Sequence, residues 1–121
     1  MSKEINWLDE PEEHDYPAAF SYLSLIYNEY VSEKHVKKIR ESKVVYFKAK
    51  DIFRASGLSL LGISNYHVEK NIHKIKEGKK LSPLLLLRDP DNGRVIVADG
   101  YHRLCAVYTI DEDIEIPCKI G

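Results

Sequence analysis

The residues of this chain most able to do chemistry stand together as Asp99, Gly100, Tyr101, His102 and Arg103. A glycine lets a ligand approach the backbone closely, and the free N–H groups at a helix start form an anion-binding site. His102 and Arg103 add hydrogen-bond donors in a first turn where the helix macrodipole disfavours positive charge. We therefore predict a phosphate-binding site at residues 100–103, in which Asp99 and His102 are the candidate catalytic residues.

This site requires a strand to end and a helix to begin around position 100. Residues 95–97 are all β-branched, which is typical of a strand covered on both faces. From Tyr101 onwards apolar residues recur at helical spacing, and Asp99 is a suitable N-cap. The alternative is that Asp99 and Arg103 form only an exposed ion pair on the helix surface, worth about 0.3–0.5 kcal/mol.

The rest of the chain supplies the elements that would position the site. Hydrophobic periodicity predicts helices at 17–31, 33–41, 51–55 and 66–77, and strands at 44–47, 84–88, 94–98 and 115–120. A turn signal at residues 89–93 predicts a hairpin, and Pro117 predicts that the last strand lies at an edge or carries a bulge. These elements indicate an α+β fold with a small mixed sheet and packed helices. Residues 1–42 should form an acidic arm and a helical layer on a core of residues 43–121.

Three segments resemble the ParB-like and sulfiredoxin-like superfamily. Asp99–Ala106 resembles its Gly-x-x-Arg helix start, Leu81–Leu87 resembles its Leu-x-Pro strand, and Ile116–Ile120 is similar to its final strand. The resemblance covers roughly residues 43–121. It implies the compact ParB/sulfiredoxin-like fold and the binding of a nucleotide or another phosphate ligand. It implies such binding more strongly than any reaction, and an NTPase or a phosphotransferase with a Mg²⁺-bound nucleotide is one open function class.

The same resemblance excludes one reaction and adds three candidate contacts. Sulfiredoxins carry their catalytic cysteine between the glycine and the histidine of the motif, where this chain has Tyr101. Sulfinic acid reduction is therefore not expected. In a comparable sulfiredoxin helix, residues at the spacing of His67, Lys70 and Lys74 touch the nucleotide, which implies the same role here. The alternative is a plain solvated lysine face.

Composition limits the class of protein. The chain has 121 residues and a formal net charge of −1, so no overall charge attracts it to nucleic acid or to an anionic membrane. Its two cysteines, Cys105 and Cys118, form neither a disulfide framework nor a zinc ligand set, and we predict that both are buried apolar residues. No metal site is predicted. A cytoplasmic protein without membrane association is the expectation.

Two other functions stay open at this stage. The ParB-like resemblance also allows a DNA-associated module, of the kind often named as a nuclease, although the net charge does not favour it. The third possibility is a non-catalytic protein that binds a protein partner through an aromatic helix surface, formed by Tyr22, Tyr27 and Tyr30. These tyrosines lack the interleaved arginine and lysine of a nucleic-acid stacking surface.

Overall fold

Four strands form one mixed sheet, four of five helices cover its two faces and the remaining helix packs on one of these four, in a computed structural model that describes residues 4–121. The helices are α1 (Asp15–Leu23), α2 (Glu29–Glu41), α3 (Ala49–Ser56), α4 (Tyr66–Lys76) and α5 (Tyr101–Ile110). The strands are β1 (Val44–Lys48), β2 (Leu84–Asp89), β3 (Arg94–Asp99) and β4 (Glu115–Ile120). The predicted α+β class, with a mixed sheet and packed helices, is confirmed.

The strand order in the sheet is β1-β4-β2-β3. The β2–β3 hairpin is antiparallel, as the turn signal predicts, and turns through a short 3-10 helix at Pro90–Asn92. β4 runs antiparallel to β1 and parallel to β2, so it lies inside the sheet. The predicted edge position of β4 is therefore wrong. Pro117 is tolerated because the ladder between β4 and β2 begins only at Cys118, one residue later.

Both faces of β2 are buried, each under a different pair of helices. On one face Leu84 and Leu86 of β2 pack with residues of α3 and α5. On the other face Leu85 and Leu87 pack with residues of α1 and α2. All four leucines are at most 1% exposed, and each contributes about 1.5–3 kcal/mol by its burial. The apolar run of β2 is thus explained by a strand that has no solvent face.

The N-terminal helical region differs from its prediction. The helix predicted over 17–31 is two helices, because α1 ends at Leu23 and α2 begins at Glu29, before the predicted start of the second helix. Asn28 causes the new start: its side chain accepts a hydrogen bond from the Val31 N–H at 2.9 Å and caps α2. The preceding arm also docks on the core, since the Leu8 N–H donates to the Leu81 carbonyl at 2.8 Å.

The two cysteines are free and buried, as predicted. Burial raises the pKa of Cys105 and raises that of Cys118 to about 12, so both thiols stay protonated at neutral pH. Within residues 4–121, no helix combines the length and the apolar character that crossing a membrane requires.

Candidate functional site

A cleft of about 270 Å³ opens where β3 ends and α5 begins. It brings together four of the residues predicted for the site with parts of α1 and of the segment after α3. The lining residues are Ala18, Tyr22, Leu58, Val97, Ala98, Asp99, Gly100, Tyr101 and His102. The wall is mostly apolar and aromatic, while one carboxylate, one imidazole and the start of a helix supply the polar groups.

Gly100 is the residue that makes this junction possible. Its φ of 106° lies in the left-handed region, and it is itself the N-cap of α5. A Cβ at this position would lie 2.8 Å from Leu84 Cγ, so β2 packs directly against the glycine backbone. The predicted N-cap role of Asp99 is wrong, because Asp99 is the last residue of β3 and no side chain caps the helix.

The start of α5 leaves backbone donors available. The first hydrogen bond within the helix runs from the Leu104 N–H to the Gly100 carbonyl, at 2.9 Å. The amides of residues 101–103 therefore have no partner within the helix, as at any helix start. Two of these amides belong to Tyr101 and His102, which line the cleft. The Tyr101 hydroxyl donates to the Ser59 carbonyl and so ties the segment after α3 to this helix turn.

Arg103 points away from the cleft and into the protein. Its side chain is 17% exposed, and its guanidinium donates to the Asp99 carboxylate at 3.1 Å and to the Pro83 carbonyl at 3.3 Å. The carboxylate of Asp15, which is 4% exposed, lies 3.7 Å from the same nitrogen. The Asp99–Arg103 pair exists, but its expected surface exposure is wrong, because β2 and the first turn of α1 enclose it.

The enclosed polar network reaches further into the N-terminal region. The Ser82 hydroxyl donates to Asp15 and accepts a hydrogen bond from the Glu12 N–H at 3.1 Å. Burial raises the pKa of Asp99; Arg103 opposes this shift and Asp15 adds to it. One guanidinium thus faces two carboxylates. They neutralise its positive charge, so it has little attraction left for an anionic ligand.

His102 lines the cleft and meets a second histidine. Its ring centroid lies 4.8 Å from that of His67 on α4. Burial lowers the pKa of His102, and His67 and Arg103 lower it further, so this imidazole is neutral at pH 7. Lys70 and Lys74 follow His67 on α4; Lys70 is exposed and Lys74 is half-buried. His67 therefore contacts one residue of the predicted site, although His67, Lys70 and Lys74 all lie outside the lining of the cleft.

The three tyrosines predicted as a partner surface have different surroundings. Tyr22 lines the cleft. Tyr27 is half-buried against His35, with ring centroids 4.7 Å apart. Tyr30 is exposed, and the Lys34 ammonium lies 4.5 Å from its ring centroid. A protein partner at these residues stays a prediction, and it would not meet the three rings in equivalent positions.

Sequence reasoning missed the walls of the cleft that come from distant parts of the chain. Ala18 carries no local signal of a site, and Tyr22 is predicted only as part of a partner surface, because only the packing of α1 against β3 brings them there. Leu58 comes from the segment after α3. It also missed Asp15 as a partner of Arg103. Among residues 4–121, no group of three or more histidine, cysteine, aspartate or glutamate side chains is arranged to hold a metal ion.

Comparisons of the chain with protein-family models, with curated proteins and with solved structures found no match. The resemblance to ParB-like domains and sulfiredoxins thus depends on the motif residues alone.

Proposed function

We propose that the cleft at Gly100 binds a nucleotide or another small phosphate ligand, with the phosphate at the start of α5. The single observation that supports this most is the meeting of Gly100, Tyr101 and His102 in one cleft at a helix N-terminus. Free helix amides and the macrodipole favour an anion at that position. The apolar and aromatic wall, which includes Tyr22 and Leu58, is suited to a flat base or another weakly polar group.

In this proposal the two polar neighbours at the helix start have different roles. His102 is the side chain that contacts the phosphate, as a neutral donor or as a cation once the ligand's charge favours its protonation. Arg103 is a positioning residue: it holds Asp99 and Asp15 through the contacts described above and so fixes the end of β3 under the cleft. His67 lies within reach of the same ligand, while Lys70 and Lys74 would meet only a longer one.

The reaction classes we propose for such a ligand are nucleotide hydrolysis and phosphotransfer. Asp99 borders the cleft, and its raised pKa makes it the candidate for a proton acceptor. A Mg²⁺ ion would enter with the nucleotide. The free, buried cysteines are in keeping with a reducing compartment such as the cytoplasm, where we place this activity.

Titration calorimetry with ATP, GTP, AMP and inorganic phosphate, each with and without Mg²⁺, tests the proposal. We expect saturable binding of at least one of these ligands. Replacing His102 by Gln should weaken binding about tenfold, which corresponds to one lost contact of about 1.4 kcal/mol.

His73→Gln is the matched control, because His73 lies on α4 and faces Glu69 at 3.7 Å on the exposed surface. Its affinity should equal that of the parent. Absence of binding to all four probes, or equal losses for both histidine variants, would remove the phosphate site. A thermal-shift assay provides an independent measurement, since a ligand at a hundred times its Kd adds about 2.7 kcal/mol of stability.

A further inference from the structure

The two edges of the sheet are not protected alike. β3, at one edge, has α1 and α3 on its faces, and its residues 96–98 are buried. β1, at the other edge, pairs with β4 on one side and with no other strand among residues 4–121. The outer row of N–H and C=O groups of β1 is therefore open to another strand.

The side chains of β1 are unusually apolar for an open edge. Val45, Tyr46 and Phe47 are 37%, 60% and 36% exposed. Open edges are normally blocked by central charges, a proline or a bulge, yet these three central positions carry none of them. The lysines at positions 43 and 48 flank the apolar triplet at its two ends.

We propose that β1 pairs antiparallel with β1 of a second copy of this chain. The two four-stranded sheets would then continue into one sheet of eight strands around a two-fold axis. Backbone hydrogen bonds between the two strands would supply affinity, and contacts between their apolar side chains would supply specificity.

The two-fold axis restricts the register. Residues opposite each other in a sheet point to the same face, so one residue of β1 must lie opposite itself. With Tyr46 on the axis, all five residues of the strand overlap. Val45 then faces Phe47 of the second copy, and Tyr46 faces Tyr46 of the second copy.

This register is self-complementary on both faces of the sheet. Val45 and Phe47 form apolar cross-strand pairs, and the two Tyr46 rings meet on the other face. Val44 lies opposite Lys48 of the second copy, whose aliphatic stem can pack over it. No like charges stand directly opposite each other, and a net charge of −1 per chain gives little repulsion between copies.

The surroundings of β1 leave room for a second strand and extend the apolar surface. On one face the helix α2 packs over β2 and β4 rather than over β1. On the other face Phe47 borders an apolar cleft of about 250 Å³ with Ile52 and Leu86. Val45 of the second copy, placed opposite Phe47, would lengthen that apolar surface beyond the edge.

Sedimentation velocity of the whole chain over a concentration series tests the association. We expect a species of twice the 14.0 kDa chain mass, with a dissociation constant in the micromolar range. Tyr46→Lys places two lysines opposite each other and should weaken association at least tenfold. The control is Tyr66→Lys on α4, where the tyrosine is 69% exposed and the helix packs on α5; its association should equal the parent's. A parent that stays monomeric up to about 1 mM, or a dimer that Tyr46→Lys leaves unchanged, overturns the proposal.

Cysteine cross-linking tests the register. One experiment uses Tyr46→Cys alone, and a second uses a mixture of Val45→Cys and Phe47→Cys chains. Hydrogen-bonded and non-hydrogen-bonded pairs alternate along an antiparallel ladder, and the non-hydrogen-bonded pairs bring side chains closer. One of the two experiments must therefore place cysteines at a close pair.

We expect at least one of them to give a reducible dimer at least ten times faster than Tyr66→Cys under mild oxidation. Cys118 lies directly opposite Val45 on β4, so all cysteine variants also carry Cys118→Ala, which removes an intramolecular disulfide as a competing product. Cys105 is buried and does not interfere. If neither experiment exceeds the Tyr66→Cys rate, the β1 pairing is wrong. The nucleotide titrations are independent of this result, since the cleft lies at the other end of the strand order, beside β3.

Discussion

The first turn of α5 has two sides, and they differ in almost every physical respect. On one side the Arg103 guanidinium is enclosed with Asp99, Asp15 and the Pro83 carbonyl. On the other side His102 borders an open cleft, and its ring lies beside the rings of His67 and Tyr101. Neighbouring residues on a helix point about 100° apart, so one residue holds the fold together while the next faces the cleft.

The comparison teaches that charge type alone does not identify the ligand contact. Arginine is the stronger phosphate group in general, because its planar fork binds two oxygens at once. Here two carboxylates already compensate that charge. The weaker donor, His102, is the one that the cleft exposes.

Removing the cation from the enclosed side of the turn should have the largest effect on the free energy of unfolding. Arg103→Ala leaves two carboxylates enclosed without their cation, and we expect a loss of about 3–5 kcal/mol in the free energy of unfolding by urea denaturation. Arg54→Ala is the control: its guanidinium is exposed and lies 3.9 Å from Asp51, so the change should stay within about 0.5 kcal/mol.

A conservative substitution at the same position distinguishes a structural role from a direct contact with the ligand. Arg103→Lys keeps the charge and should stay folded, with an affinity for the ligand identified by calorimetry within about twofold of the parent. A loss of affinity at unchanged stability would show instead that the guanidinium leaves its carboxylates and binds the phosphate.

Substitution of the glycine at the start of this turn should have the next largest effect on stability. Gly100→Ala combines a left-handed φ with a Cβ placed 2.8 Å from Leu84 Cγ, and should cost about 2–4 kcal/mol. Gly57→Ala is matched in conformation, with a φ of 67°, but its Cβ meets nothing within 4 Å and should cost only about 1 kcal/mol. Equal costs for the two variants would mean that β2 can move away and that packing does not fix the junction.

The pH dependence of stability in acid provides a further test, because two aspartates have pKa values shifted in opposite directions. Asp99 has a pKa raised above 3.8 by burial, so the folded state holds its proton more tightly than the unfolded state. Its ionisation therefore lowers stability as the pH rises from 3.8 through the raised pKa, and Asp99→Asn should remove that slope.

Asp89 behaves the other way. Hydrogen bonds from Arg94 and Asn92 lower its pKa below 3.8, so its contribution is present above 3.8 and lost as the pH falls through the lowered pKa. Asp89→Asn should therefore differ from the parent most near neutral pH and least in acid. Urea melts at a series of pH values measure both slopes, and slopes of the same sign would contradict the assignment.

The smallest change is expected on the open side. His102→Gln removes no hydrogen bond to another side chain and leaves a partly exposed position, so stability should change by less than about 0.5 kcal/mol. Thermal melts without ligand measure it. A loss comparable to that of Arg103→Ala would mean that the His67–His102 contact is structural.

The parts of the fold with strong local signals are the ones that the sequence predicts well. The β2–β3 hairpin follows from its turn residues, and α4 begins where Asn65 caps it by accepting from the Val68 N–H at 3.2 Å. Pro117 misleads because its effect depends on which neighbouring strand needs its N–H, and only the assembled sheet decides that. Arg103 misleads for the same reason: its partner Asp15 is 88 residues away in the chain.

The candidate site is predictable only in its contiguous part. Asp99, Gly100, Tyr101 and His102 are neighbours in sequence and also neighbours in the cleft. The opposite wall comes from α1, and nothing in residues 15–23 indicates that this helix packs at the end of β3. Such a wall becomes visible only once both faces of the sheet are assigned to their helices.

The inner position of β4 has a consequence for how the protein is made. β1 has no strand partner among residues 4–121 except β4, and β4 comprises residues 115–120. During synthesis the apolar β1 must therefore wait, unpaired, until more than 60 further residues have been added. Its long-range pairing makes the closing of the sheet a late, slow step. In that interval the exposed strand is the segment most open to premature association, so this chain should depend on chaperones more than its small size suggests.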